Sequence, residues 1–135
     1  MPYKENWESN TGVVVKYTGV VTNSEVIKVV KDAHADHRYD RLRYVIHDLL
    51  EVDAFDVDLH AIQEVFAASV GAGMTNPNRK IYVVSNNATV LDYLGQYLKD
   101  YSGALPIKAY TNMVDAYRAR DADLSSSGTT LRMRA

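Results

Sequence analysis

The chain has 135 residues, a length that suits one domain with a sizeable core, and at 47% hydrophobic and 24% charged its balance is that of an ordinary globular protein. A formal net charge of -2, with lysine and arginine scattered, argues against a phosphate-tracking basic face and so against nucleic-acid binding. The absence of cysteine removes disulfides, thiolate zinc sites, iron–sulfur clusters and cysteine nucleophiles together.

The opening residues, MPYKENWESN, lack the basic-then-apolar pattern of a signal peptide. No apolar run approaches the roughly 18 residues of a membrane span, so a cytoplasmic protein is expected. Residues 3–7 form a candidate edge strand, with ESNTG as the turn. GVVVKYTGV (12–20) is rich in β-branched residues and predicts a strand ending at Gly19. Thr22 and Glu25 then have the spacing of a capping box, and Val26, Val29, Val30 and Ala33 predict a helix over 23–36. HRYDRLR leads into a second core strand, 43–49, apolar enough to be central.

After an acidic stretch, Leu59, Ile62, Phe66 and Val70 mark the inner face of a second helix, which GAGMTNPNRK ends. KIYVVS (80–85) predicts a third core strand. The pair Asn86–Asn87 can cap a third helix with Val90, Leu91, Leu94 and Leu98 as its stripe. IKAY (107–110) predicts a last short strand and NMVDAYRAR (112–120) a terminal helix. The remainder, 121–135, shows no period and reads as a C-terminal tail after a domain of residues 1–120. Strands alternating with helices predict a single open α/β sheet, largely parallel or mixed, with helices packed on it. In such sheets, ligands and partners meet the loops at the carboxyl ends of the strands. No dinucleotide fingerprint, phosphate loop or nucleophile elbow is present.

The stretch RYVIHDLLEVDAFDVDLHAIQEV (43–65) concentrates Asp48, Glu51, Asp53, Asp56 and Asp58 in what reads as a bend, with His47 and His60 beside it. Five carboxylates and two imidazoles at a strand end could hold a hard cation or do acid/base work. Alternatively Asp56 caps the helix, Asp58 complements its macrodipole and the others are solvated. The spacing matches no metal motif, and strand alternation sets His47 and Asp48 on opposite faces. His34 and His37 could share a helix face as ligands, but with no third ligand they read as a positive helix terminus. No metal or cofactor is expected. Ten tyrosines is a high count, and Tyr93, Tyr97 and Tyr101 recur every fourth position beside the leucine stripe. They suit a protein interface or the mouth of a pocket, or they widen the core-facing side of the helix.

By element order over roughly residues 3–120, and through YTGVVTNSEV and YVIHDLLEVDAFDVDL, the chain resembles the STAS domain, the fold of bacterial anti-sigma factor antagonists. It is similar also to small bacterial STAS-like proteins that have been likened to lipid-binding Sec14 domains. The resemblance implies that Asp48 matches the aspartate after the second core strand. It also implies that Asp56-Val57-Asp58-Leu59 occupies the place of the Asp-Ser-x-Gly motif at the helix start. In switch-type members that serine takes a phosphate whose charge disrupts docking to a kinase. Here Val57 fills the slot, the glycine is missing, and Asp58 supplies fixed negative charge.

Three functions follow as expectations. The first is a non-enzymatic regulatory or protein-interaction module, with a protein partner or self-association as a homo-oligomer. The second is a carrier of a small apolar or lipid-like ligand. The third is an enzyme using His47, Asp48 or His60.

Overall fold

The computed structural model of the chain describes residues 3–73, 76, 79–100 and 107–134, with side chains for all of these except 72–73, 97–100 and 126–134. The sheet is seeded by a hairpin: β1 (Tyr3–Ser9) runs antiparallel to β2 (Gly12–Thr22). In β2, Val13, Val15 and Tyr17 point to one face and Val14 to the other, and all four are buried, so β2 is covered on both sides. Next come α1 (Asn23–Ala35), a single 3₁₀ turn (His37–Arg41) and β3 (Tyr44–Asp56). They are followed by α2 (Leu59–Gly73), β4 (Lys80–Val84), α3 (Ala88–Asp100), β5 (Ile107–Tyr110) and α4 (Met113–Arg134).

The strands lie in chain order, β1-β2-β3-β4-β5, with β2 through β5 parallel. A sheet wound in one direction by right-handed crossovers keeps its connecting helices on one face. Accordingly α1, α2 and α3 bring Val29, Ala61, Ile62, Phe66, Val90 and Leu94 onto Val13, Val15, Val45, Ile81 and Val83. The opposite face, built on Val14, Tyr44, Ile46, Tyr82 and Val84, is covered by α4 through Ala116 and, less completely, Met113, Tyr117 and Leu124.

Three sequence expectations are corrected. The strand expected to end at Gly19 continues to Thr22. Gly19 takes φ of 70°, the left-handed region open to glycine, and bends the strand without ending it. The strand expected over 43–49 continues to Asp56, so the acidic bend is strand: β3 stays paired with β2 through two register shifts, after Asp48 and after Val52. Those shifts put extra β3 residues opposite β2, the signature of bulges that sharpen twist. Lastly, the terminal helix does not stop at 120. It continues to Arg134, and Asp123 and Leu124, in the stretch read as a tail, contact the core: the Tyr82 hydroxyl donates to Asp123 Oδ2 at 2.5 Å, and Leu124 packs beside it.

Among the described residues no helix is long and apolar enough to cross a membrane.

Candidate functional site: the end of β3 and the cavity behind it

Among the described residues β3 pairs with β4 only as far as Asp48 and β2 with β1 only as far as Tyr17, so 18–22 and 51–56 form a two-stranded parallel ribbon past the sheet. The carboxylates of this region do not converge. Asp48 is buried on the α4 side, and its Oδ1 accepts from the Leu50 N–H at 3.0 Å, satisfying a donor at the first bulge. Glu51 pairs with Lys16 at 2.8 Å on the surface. Asp53 and Asp56 are exposed strand residues.

Asp58, expected in the first helical turn, is instead the cap of α2, the role read for Asp56. Its Oδ1 accepts from the Ala61 N–H at 2.9 Å. The same residue is tied to the start of α1: Asn23 Nδ2 donates to Asp58 Oδ2 and the Asp58 N–H donates to Asn23 Oδ1, both at 2.9 Å. The Ala61 N–H first, and the Asn23 amide next, hold the Asp58 carboxyl below its ordinary range. The capping box expected from Thr22 and Glu25 does not form, because Thr22 makes no side-chain cap to α1. Val57 is buried at 5% exposure, and its carbonyl accepts from the Tyr93 hydroxyl at 2.6 Å. Two large apolar side chains stand out at this edge of the sheet, Val20 at 50% and Leu59 at 46% exposure.

Tyr93 is thereby turned inward, tilted against Phe55 with ring centres 6.3 Å apart. The Tyr97 side chain and Tyr101 lie outside the described residues. Asn87 caps α3 as expected, accepting from Thr89 N–H at 2.9 Å and Val90 N–H at 3.2 Å.

Behind the α2 start, between the sheet and α1–α3, is a cavity of about 130 Å³ walled by Leu49, Phe55, Ile62, Phe66, Val83 and Tyr93, with Tyr17 and His47 at its edge. The Tyr17 hydroxyl and His47 Nδ1 are 2.9 Å apart. Burial, aided by the positive charge of Arg79, pushes the His47 imidazole down to about 4, and burial raises the Tyr17 phenol well above its ordinary value. Both groups are therefore neutral at neutral pH. His47 and Asp48 face opposite sides of the sheet, and His60 is on the surface 3.2 Å from Glu64, so these three residues share no site. No group of three or more potential metal ligands comes together among the described residues.

His34 is not the positive terminus expected for α1. Burial and Arg79 lower its pKa, and its ring stands edge-on to Tyr39 at 5.0 Å. Arg79 itself is buried, with its guanidinium 4.7 Å from the centre of the Tyr39 ring and donating to the Tyr39 hydroxyl. A second, smaller cavity of about 60 Å³ lies between Arg79 and His47. Sequence reasoning passed over Tyr17 and Arg79. The period-two pattern carried the signal for Tyr17, since Val13, Val15 and Tyr17 share one face with Val45, His47 and Leu49. Nothing local marked Arg79, which sits in a loop.

No family model matches the chain, and no curated protein matches it in sequence. Among solved structures it is similar to the anti-sigma factor antagonist SpoIIAA in its unphosphorylated form, with a TM-score of 0.60 at 10% identity, over 88% of this chain and 96% of that one. The fold is STAS-like. The phosphorylated form of SpoIIAA, described as a Bacillus cell fate determinant, gives a TM-score of 0.51 at 9% identity, over 87% of this chain and 98% of that one. An uncharacterized DUF3478-family protein from Shewanella loihica with a SpoIIAA-like fold is 14% identical, with a TM-score of 0.47, over 86% of this chain and 90% of that one. The likeness to unphosphorylated SpoIIAA extends over 88% of the chain.

Proposed function

We propose that the chain is a non-enzymatic, cytoplasmic STAS-like module that works through protein contacts without a phosphorylation switch. Its contact surface is the exposed end of the β2–β3 ribbon together with the start of α2. The observation that carries this reading is Val57: the slot in which the resemblance puts a phosphate-accepting serine holds a buried valine whose carbonyl is held by Tyr93. With Asp58 bridging the starts of two helices, the surface keeps one shape and one charge. Val20 and Leu59 supply exposed apolar area for docking.

A native mass spectrum of gently purified protein tests the proposal. A homo-oligomer, or a complex with another protein, that is lost on Leu59→Arg supports it. A monomer at every concentration, indifferent to that substitution, overturns it.

The cavity favours a second reading, a carrier of a small apolar ligand. In the same spectrum, an extra small mass on each subunit would support the carrier. Bare subunits that show no thermal shift with apolar compounds would remove it.

A further inference from the structure

His47 has one ring nitrogen engaged and one open. Nδ1 is matched with the Tyr17 hydroxyl, whereas no hydrogen bond to Nε2 is found among the described residues. His47 lines both cavities. Most of the larger cavity is hydrocarbon: besides His47 and Tyr17, its polar wall groups are Ser69 and the Tyr93 hydroxyl, and the latter is already committed to Val57. A buried water needs two to four polar partners, which this wall supplies poorly, while an apolar cavity of roughly 150 Å³ takes a benzene-sized guest. Val30 and Val65 also line a surface cleft between α1 and α2, rimmed by Lys31 and Glu64, so these two side chains stand between the cavity and that cleft.

We propose that the cavity under α1–α3 binds a small neutral aromatic alcohol of the phenol class, about seven or eight heavy atoms, with its ring against Phe55 and Phe66 and its hydroxyl on His47 Nε2. This rests on the carrier reading and names its ligand class. A hydroxyl suits the site better than a carbonyl because it both donates and accepts. It can accept a hydrogen bond from Nε2–H when Tyr17 donates to Nδ1, and donate one to Nε2 in the other tautomer. A carboxylate would bring a charge into a hydrocarbon wall. The depressed basicity of His47 keeps the imidazole neutral and so keeps a neutral partner favoured.

The test is to titrate phenol and benzene separately to millimolar concentration into the full chain and follow backbone amide shifts. Phenol is expected to shift amides of β3, α2 and α3 with a dissociation constant roughly fivefold or more below that of benzene, the worth of one net hydrogen bond. In His47→Leu benzene still binds and the preference for phenol is gone. Ile62→Phe fills the cavity and is expected to bind neither. If that variant does not fold, the wild type and His47→Leu decide the matter alone. Equal binding of the two compounds, or a preference that survives His47→Leu, overturns the role of His47 and leaves the carrier reading standing. Binding of neither compound to the wild type overturns both.

Discussion

Asn23 and Asp58, 35 residues apart in the chain, exchange two hydrogen bonds of 2.9 Å that join the first turn of α1 to the cap of α2. One carboxylate thus caps α2 and ties it to the start of α1. Asp58→Ala should lower the melting temperature by about 3–6 °C, the usual consequence of losing a helix cap. Asn23→Ala should cost less, since the Ala61 N–H keeps its acceptor. Differential scanning calorimetry on the two single variants and the double variant checks this. The losses should fall short of additive, and full additivity would mean that the two residues act independently.

Acid should weaken the protein through His47 and His34. His47 and His34 both take up protons less readily in the fold than their ordinary value of 6.5. Between pH about 6.5 and 4 the unfolded chain therefore binds protons that the folded chain does not. Stability is fully present above that window and falls as pH drops through it. The groups facing His47 are Tyr17, neutral throughout, and the cation Arg79, which reinforces the effect. The loss traceable to His47 should be of order 2–3 kcal/mol at pH 4. Urea midpoints measured at pH 7 and pH 4.5 should differ in the wild type, and the difference should shrink by more than half in His47→Phe.

Gly12 has a steric reason to lack a side chain. A Cβ there would collide with the Tyr44 ring, which is buried and fixed by its hydroxyl's 2.6 Å bond to Glu8. Gly12→Ala should cost about 1–3 kcal/mol, the range for overpacking a filled site. In a Tyr44→Leu background the same change should cost little, and equilibrium denaturation of the four proteins would show it.

Residues past 120 should matter to stability. Cutting the chain after Arg120 removes the Asp123 acceptor from the Tyr82 hydroxyl and the Leu124 side chain from the core. Burial and the Asp123 carboxylate hold the Tyr82 phenol far above its ordinary pKa, as expected of a hydroxyl committed to an anion. A loss of about 1–3 kcal/mol is expected in urea denaturation, with Asp123→Leu giving part of it. A truncated chain as stable as the whole would show that the last turns of α4 contribute nothing.

Much of the architecture was legible because it rests on local patterns. Valine alternation marked β2, the stripe of Val90 and Leu94 marked α3, and Asn87 announced its cap. The end of β3 was misread for a physical reason. Glu51, Asp53 and Asp56 have the composition of a turn, yet Glu51 and Asp56 pair with Thr18 and Thr22, and Asp53 is the extra residue at the second bulge, in a ribbon whose outer side meets water. Pairing with a strand 30 residues earlier overrides local propensity, and a single sequence does not display that pairing. The α4 extension was hidden in the same way: Ser125, Ser126, Ser127 and Gly128 are poor helix formers, and the anchor that favours helix before them is Asp123 on a distant tyrosine. The His47–Tyr17 pair was half visible, as two polar residues at inward positions of adjacent strands.

The order of the strands bears on how the chain is made. Each βα unit adds to an edge that its predecessor has already presented, so the sheet can assemble from the amino end as it leaves the ribosome. Among the described residues the element that breaks this sequence is α4, made after β5 and laid over strands completed long before. Until it arrives, Val14, Tyr44, Ile46, Tyr82 and Val84 form a bare apolar face open to misassembly. Arg120 closes the structure by reaching Glu8, 112 residues upstream, at 3.0 Å. The nascent protein is thus most vulnerable in the interval between synthesis of β5 and docking of α4, the stage at which a chaperone would have most to protect.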